Sequence, residues 1–384
     1  MPVEVASAPA TTTMEITVSK FELLRELTAT QGVVERKTTI PILSNYLFEA
    51  SADKLSLTAT DLDLSLRTSC NAKVKKEGAC TIPARKLYDY VKLLPDADIT
   101  IRLLENHWVS IRCGRSNTKM VGMARSNFPS LPVFPVAGVV KIPAQVLRAM
   151  IAKTGFAIAS EESRYTLNGA LMVLKPESIT MVATDGHRLA HIERSGEKFD
   201  GVSGEMKTLV PKKAMDELRT LLDATDAESI DFAKDESTLF FQVGPRLLTS
   251  RQLTGQFPNY EAVLPKDITK SVTVQGADLG AAISRVAQFA DERSHAVRLK
   301  LEKGELKLSA SSTEAGESED SIEIAYNGDL LTIGFNAQYL IEFIKASGAG
   351  EVKLELKDSQ SAGQFRPAEG DDYKYRYIVM PMRI

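Results

Sequence analysis

The feature of this sequence that most constrains its fold is an internal three-fold repeat. The stretch "TIPARKLYDYVKLLPD" from Thr81 reads as a strand end, a proline, two basic residues and an amphipathic helix. It returns as "TLVPKKAMDELRTLLDA" from Thr208 and, more loosely, as "TIGFNAQYLIEFIKASG" from Thr332, about 125 residues apart. Self-similarity at a fixed period is the signature of repeated structural units. We therefore expect three homologous domains rather than one large core.

A second unit precedes each copy and supports the same register. "TVSKFELLREL", "KIPAQVLRAMI" and "TVQGADLGAAI" align Leu23, Leu147 and Leu279 on one face of a helix. Runs such as "TLFFQVG" and "EVKLELKD" alternate apolar and polar residues, which is typical of half-buried strands. The predicted fold class is α+β, with three tandem domains of two helices backed by antiparallel sheets. The predicted boundaries are a disordered leader at 1–13 and domains at 14–138, 139–266 and 267–384.

Composition favours a cytosolic protein that does not hold nucleic acid by bulk charge. The three cysteines show no C-x-x-C spacing, which is typical of reduced thiols in a cytosol. No apolar run is long enough to span a bilayer, and the leader lacks the basic start and apolar stretch of a signal peptide. The net charge is −3, whereas proteins that grip DNA by bulk charge are normally basic. Any bases that face DNA must therefore lie together on one face.

The basic residues that open two of the repeated helices are candidates for phosphate contact. A helix N-terminus carries partial positive charge, and adding bases there makes it attractive to anions. For one copy an ordinary solvated helix face is the plainer interpretation, but repetition favours a phosphate-binding role. The third copy, which begins at Asn336, has lost the bases. The predicted DNA-contacting residues are Arg36, Lys37, Arg85, Lys86, Arg164, Tyr165, Lys212 and Lys213.

The stretch "ATDGHRLAHIER" leaves several functions open. His187 and His191 are four residues apart, but no third metal ligand or nucleophile is evident, so we expect no metal and no cofactor. One alternative is a metal-dependent enzyme using Asp61, Asp185 and His187, with Asp63 as a further ligand. The aspartates follow "TAT" and "VAT" in corresponding strands, which indicates a shared turn rather than chemistry. A second alternative is a repeat protein that binds only other proteins.

Six motifs resemble one protein family: "ATDGHRLA", "RYTLNG", "TIPARK", "FPNYEAVLP", "IGFN" and the terminal "YIVMPMRI". They look like those of the bacterial DNA polymerase III beta subunits, the replicative sliding clamps, and the likeness covers Met14 to Ile384. The resemblance implies a head-to-tail homodimer that closes a six-domain ring around duplex DNA. It implies a processivity factor that is not itself an enzyme. A ring held on DNA by topology needs only modest, sequence-independent attraction to phosphates.

The same resemblance implies a groove that binds short linear motifs of partner proteins. The expected partners are the DNA polymerase III alpha subunit, the clamp loader, other polymerases and repair proteins, with no membrane partner. The methionines of the terminal "VMPMRI" fit this role, since methionine provides an adaptable apolar surface. The residues implied to line the groove are Leu167, Thr184, Gly186, His187, Arg188, Leu189, Pro258, Val263, Asn336, Tyr339, Val379, Met380, Pro381, Met382 and Arg383.

Overall fold

The structure, a computed structural model, describes residues 13–35, 38–161, 165–196, 198–348, 350–370 and 372–383. Within the described residues, the first domain contains two α-helices and nine strands. In chain order these are β1 (Met14–Ser19), α1 (Lys20–Ala29), β2 (Asn45–Ser51), β3 (Lys54–Thr60), β4 (Leu64–Asn71), β5 (Lys73–Lys76), β6 (Gly78–Pro83), α2 (Ala84–Leu93), β7 (Asp98–Leu103), β8 (Trp108–Cys113) and β9 (Ser116–Val121).

The second and third domains repeat this construction. The middle domain contains β10 (Val140–Pro143), α3 (Ala144–Thr154), β11 (Gly169–Lys175), β12 (Ser178–Thr184), β13 (Arg188–Ser195), β14 (Met206–Pro211), α4 (Lys212–Asp223), β15 (Ser229–Lys234), β16 (Thr238–Val243) and β17 (Arg246–Arg251). The third domain contains β18 (Lys270–Gln275), α5 (Gly276–Val286), β19 (Ala296–Glu302), β20 (Glu305–Ser312), β21 (Gly316–Glu323), β22 (Leu331–Asn336), α6 (Ala337–Ser347), β23 (Glu351–Leu356), β24 (Gly363–Pro367) and β25 (Tyr373–Val379). The predicted α+β fold of three tandem domains is confirmed.

Each of these six helices continues directly from the strand before it, as the repeated sequence units predict. In two of the repeats a proline ends the strand directly before the helix. Pro83 is the last residue of β6 to pair with β2, opposite Asn45, and Pro211 ends β14 opposite Gly169. Proline has no N–H to donate, so the end of a strand ladder accepts it without losing a hydrogen bond.

In the first compact unit, residues 1–144 and 216–251, strands from two domains form one continuous antiparallel sheet. Its order is β10-β15-β16-β17-β4-β3-β2-β6, and β17 of the middle domain pairs with β4 of the first. A second, five-stranded sheet of the same unit has the order β5-β1-β7-β8-β9. Backbone pairing therefore continues across the boundary between these two domains.

The second compact unit, residues 145–215 and 252–384, is built in the same way. Its eight-stranded sheet has the order β14-β11-β12-β13-β25-β24-β23-β18, joined where β13 of the middle domain pairs with β25 of the third. A four-stranded sheet, β21-β20-β19-β22, completes the unit. No helix in the described parts of the chain is both long and apolar enough to cross a membrane.

A buried ion pair stabilises the junction between β17 and β4. Glu26 on α1 accepts hydrogen bonds from Arg246 Nε at 2.9 Å and from Thr68 Oγ1 at 2.6 Å. Burial alone would raise the pKa of Glu26, but hydrogen bonds from Arg246, Thr68 and Arg25 outweigh it and lower the pKa below its ordinary value. The carboxylate thus stays charged inside the protein because three donors surround it.

Candidate functional site

The site is organised by a tight turn between β12 and β13. Thr184 Oγ1 donates to the carbonyl of Arg188 at 2.6 Å, and the Oδ1 atom of Asp185 accepts the N–H groups of His187 and Arg188 at 2.9 and 3.0 Å. Gly186 has φ of 90°, a conformation that glycine adopts at little cost. The predicted turn at Asp185 and Gly186 is therefore present, and the side chain of Asp185 forms it.

The same turn recurs between β3 and β4 of the first domain. Thr60 Oγ1 donates to the carbonyl of Leu64 at 3.0 Å, and Asp61 Oδ1 accepts the N–H groups of Asp63 and Leu64 at 3.0 and 2.7 Å. Leu62, with φ of 85°, occupies the position of the glycine. The recurring aspartates therefore have a structural role in both domains, as their spacing in the sequence indicates.

Arg188 is buried beneath the turn and joins it to the segment at Phe156 and to α6. Its Nε donates to Asp185 Oδ2 at 3.0 Å, its Nη2 donates to the carbonyl of Phe156 at 2.6 Å, and its Nη1 contacts Glu342 on α6. The guanidinium lies 4.2 Å from the ring centroid of Tyr339, within cation–π range. Arg188 was predicted to line the groove, but most of its surface is taken up by contacts within the protein.

Tyr377 on β25 completes the surroundings of Arg188. Its hydroxyl accepts a hydrogen bond from Arg188 Nη1 at 3.4 Å, and its ring stacks on Phe343 with centroids 5.2 Å apart. Burial would lower the pKa of the Arg188 guanidinium, but Tyr377 and Glu342 favour the charged form and raise the pKa above its usual value. Arg188 is a permanent cation that the surrounding residues hold in one place.

The C-terminal tail after β25 is held at two points. The N–H of Met380 donates to the carbonyl of His187 at 2.9 Å, and the N–H of Met382 donates to the carbonyl of Gly334 on β22 at 2.8 Å. Pro381 lies between them, where its missing N–H costs no hydrogen bond. Met380 is 46% exposed and Arg383 is also exposed. The tail thus connects the turn to β22 and leaves methionine surface accessible.

An apolar cluster lies on the face of the sheet beside this tail. Leu189 on β13 and Ile378 on β25 belong to it, and Leu167 packs against it. Val379, which was predicted to line the groove, is completely buried, and strand alternation places it on the opposite face from Ile378. Ile378, which is 1% exposed, was not among the residues implied to line the groove, and counting alternate residues along β25 places it on the face of the apolar cluster.

The linker of residues 252–264 covers the rest of the cluster. Phe257, Tyr260 and Leu264 pack on the apolar cluster. Pro258 is exposed and lines a cavity of about 700 Å³ between the linker and β14, and Val263 is also exposed. The linker therefore places two predicted groove residues at the protein surface.

The start of α6 contributes the polar residues predicted for the groove. Asn336 caps the helix, with its Oδ1 accepting the N–H groups of Gln338 and Tyr339 at 2.9 and 3.4 Å. Tyr339 is half-buried against Arg188. The loss of the bases in the third copy thus coincides with a helix start whose Tyr339 contacts Arg188.

The predicted DNA-contacting residues are placed only in part by the structure. Arg85 and Lys86 lie exposed in the first turn of α2, where Arg85 is 3.9 Å from Asp89. Lys213 is exposed at the start of α4, where Lys212 is half-buried, and Tyr165 is exposed. Arg36, Lys37 and Arg164 lie outside the described residues. The assignment of all eight to DNA contact remains a prediction.

The two histidines of the motif do not form a shared surface site. His191 is buried, and its ring lies beside Tyr260 with centroids 5.7 Å apart, whereas His187 is exposed on the turn. Within the described ranges, no group of three or more histidine, cysteine, aspartate or glutamate residues is placed to hold a metal ion.

Three tandem domains of this construction, with a C-terminal tail bound to the turn of the middle domain, define the class of DNA clamps. The family models of the DNA polymerase III beta subunit match the chain in order, the N-terminal domain over residues 14–132, the central domain over 141–259 and the C-terminal domain over 261–383. The chain belongs to the DNA polymerase III beta subunit family. Its function is that of a replicative sliding clamp, an accessory of DNA polymerase III and not itself an enzyme.

Relatives and solved structures agree with this assignment along the whole chain. The beta sliding clamp of Pseudomonas aeruginosa is 36% identical over 97% of this chain and 100% of its own length, and that of Caulobacter vibrioides is 33% identical with the same coverage. A sliding clamp structure from Pseudomonas aeruginosa bound to griselimycin covers 97% of this chain and 100% of its own, with 35% identity and a TM-score of 0.90. A Caulobacter crescentus clamp with polyethylene glycol at its putative beta-motif tethering region has 33% identity, the same coverage and a TM-score of 0.90.

Proposed function

We propose that two copies of this chain associate head to tail into a closed ring around duplex DNA. The ring tethers DNA polymerase III, and its groove binds the alpha subunit, the clamp loader, other polymerases and repair proteins in turn. The domains of each copy comprise residues 14–138, 139–266 and 267–384, and the ring acts in the cytoplasm. The observation that carries this proposal is the charge on two open sheet edges.

Within the described residues, β9 and β21 are each the last strand of a sheet. The β21 strand carries Glu317, Glu319, Asp320 and Glu323 and no basic residue. The β9 strand carries Lys119, and Arg115 precedes it. Like charges directly opposite each other destabilise a strand pair, whereas opposite charges stabilise it. These two edges therefore favour pairing of β9 with β21 of another copy over pairing of β21 with itself.

Such a contact uses two different edges of the chain. After β9 of one copy pairs with β21 of another, the first copy still has a free β21 edge and the second a free β9 edge. Contacts of this kind form a ring when the rotation between copies closes and a filament when it does not. A long exposed edge strand is also a liability in a free chain, because it can pair with other proteins. Ring closure covers both edges at once.

The solution mass of the purified protein tests this association. One chain has a mass of 42.0 kDa, and we expect light scattering to give twice that value. The double substitution Glu317→Lys and Glu319→Lys should shift the protein toward single chains. Glu177→Lys, in the turn between β11 and β12, makes the same kind of charge change away from both edges and should leave the dimer intact. Single chains in the unsubstituted protein at working concentration would overturn the ring.

Retention on DNA tests the topological part of the proposal. Bases at the starts of α2 and α4 supply weak attraction to phosphates that does not depend on sequence and decreases with salt. Once the clamp loader has placed the ring on circular DNA, we expect it to remain bound at salt concentrations that abolish direct binding. Cutting the circle should release it, and retention on linear DNA with free ends would contradict the proposal.

The groove is tested by removing the tail that forms one of its walls. The Pseudomonas aeruginosa relative is known bound to griselimycin, which makes this compound a suitable probe. Deleting residues 380–384 should lower griselimycin affinity at least about tenfold, a loss of roughly 1.4 kcal/mol, because the exposed methionine surface is lost. The dimer mass serves as the control for folding. Unchanged affinity in an intact dimer would overturn the groove.

A further inference from the structure

We infer that Glu342 on α6 is a positioning residue of the groove, which acts through Arg188 to hold the 184–188 turn against Tyr339. The inference rests on the proposed groove and adds a residue that the ligand does not need to touch. It makes ligand affinity depend on a carboxylate outside the predicted lining.

Both oxygens of Glu342 are engaged within the protein. Its Oε2 contacts Arg188 Nη1, and its Oε1 accepts a hydrogen bond from Gln338 Nε2 at 2.9 Å. Gln338 and Tyr339 precede Glu342 by four and three residues, a spacing that places all three on one face of the helix. The helix therefore fixes the direction in which the carboxylate points.

Glu342 connects the turn to α6, whereas Asp185 lies in the turn itself. Among the described residues, the carboxylates that contact Arg188 are Asp185 and Glu342. Asp185 belongs to the turn itself, because its other oxygen accepts the turn's N–H groups. The ion pair with Glu342 therefore ties the turn to α6, and the stacking of Arg188 on Tyr339 is its second contact with that helix.

A shift of Arg188 would move several groove residues at once. His187, immediately before Arg188, holds the tail through its carbonyl, and Leu189, immediately after it, lies in the apolar cluster. The ring of Tyr339 lies against the guanidinium of Arg188. A binding site loses affinity when its walls move by a fraction of an ångström to one ångström, so the tie matters for recognition even though it is buried.

The first experiment compares Glu342→Gln with Asp278→Asn by calorimetric titration of griselimycin. Glu342→Gln keeps the size of the side chain and removes its charge, and we expect the Kd to rise about 5- to 30-fold, because the remaining amide oxygen is a weaker acceptor for Arg188 than a carboxylate. Asp278 is exposed on α5 in the same compact unit, so Asp278→Asn removes one negative charge without touching the network and should leave the Kd within twofold. A Kd within twofold for Glu342→Gln would overturn the inference.

A double-substitution cycle tests whether Glu342 acts through Arg188. In an Arg188→Met background, Glu342→Gln should have no further effect on affinity, because the side chain that it positions is gone. If both losses instead add, Glu342 acts by another route and the inference fails. Should Arg188→Met not fold, Arg188→Gln serves in its place, since glutamine stays polar but carries no charge to pair with Glu342.

Hydrogen exchange of the backbone separates positioning from general destabilisation. Glu342→Gln should speed exchange of the N–H groups of His187 and Arg188 while leaving the matching turn at 60–64 unchanged. That turn has the same hydrogen bonds but Leu64 in place of the arginine, so it is an internal control. If Glu342→Gln speeded exchange equally in both turns, the effect would be general destabilisation and not positioning. If the unsubstituted chain binds neither griselimycin nor a peptide from the alpha subunit, the groove itself is wrong and the inference falls with it.

Discussion

Each of the two eight-stranded sheets spans two domains, and an arginine–glutamate pair lies at the domain junction in both. The two pairs differ in their surroundings. At the β17–β4 junction, Arg246 of the middle domain meets Glu26 from a helix of the first domain. At the β13–β25 junction, Arg188 of the middle domain meets Glu342 from a helix of the third. A hydroxyl from the neighbouring strand completes each group, Thr68 on β4 in one and Tyr377 on β25 in the other.

The two junctions differ in how far solvent reaches the carboxylate. The side chains of Arg246 and Glu26 are 8% and 1% exposed, whereas those of Arg188 and Glu342 are 9% and 27% exposed. The first pair is closed to solvent and stabilises the fold. The second borders the tail and the turn, which belong to the proposed groove. The junction that borders the proposed groove is thus the one whose carboxylate is partly open to solvent.

The largest effect that this comparison predicts follows Glu26→Gln. Removing one partner of a buried ion pair leaves Arg246 uncompensated and should cost about 3–5 kcal/mol of unfolding free energy. Urea denaturation followed by circular dichroism measures the loss, and griselimycin affinity should remain unchanged. A loss below about 1 kcal/mol, or a changed affinity, would break the distinction between the two junctions.

The pH dependence of this loss provides a second, smaller effect. Because the pKa of Glu26 is lowered in the folded protein, its contribution is fully present above the unfolded value of about 4.3 and disappears as pH falls through the folded value. The stability difference between the unsubstituted protein and Glu26→Gln should therefore be constant near neutral pH and shrink below about pH 4. Denaturation curves at several pH values measure it, and a constant difference down to pH 2 would contradict a lowered pKa.

The sequence predicted what is repeated locally. The helix faces marked by Leu23, Leu147 and Leu279, the strand-to-helix units and the turn at Asp185 all rest on patterns within a few residues, and these are present in the structure. The replacement of bases by Asn336 in the third copy was also visible, and the resemblance assigned Asn336 to the groove.

The sequence did not predict contacts between distant residues. Nothing in the local pattern of β17 specifies β4 as its neighbour, so the continuous sheets appear only in the structure. Arginine is usually exposed, so the sequence favours an exposed Arg188 that contacts ligand. Only its partners in the structure, Glu342 among them, show that it is buried. The resemblance implied Val379 as a groove residue, whereas Ile378 shares the face of the apolar cluster, because neighbouring strand residues face opposite sides.

A third prediction concerns the hydroxyl at the closed junction. Thr68 Oγ1 donates to Glu26 Oε2 at 2.6 Å, a short bond to a charged acceptor. Thr68→Val keeps the shape of the side chain but removes this donor, and should cost about 1.5–3 kcal/mol of unfolding free energy. Thr58→Val on β3 is the matched control, because Thr58 Oγ1 is buried and has no hydrogen-bond partner among the described residues. Equal losses in the two variants would show that the hydroxyl at the junction has no special role.

The smallest effect should follow removal of the hydroxyl at the open junction. Tyr377 accepts from Arg188 at 3.4 Å, near the limit for a hydrogen bond, and Arg188 Nη1 also has Glu342 as a partner. Tyr377→Phe should therefore cost less than about 1 kcal/mol in stability and change griselimycin affinity less than about twofold. Tyr377→Leu, which loses the ring stacked on Phe343, should cost clearly more. If Tyr377→Phe weakened binding as much as Glu342→Gln, the hydroxyl rather than the carboxylate would fix Arg188, and the parallel between the two ion pairs would fail.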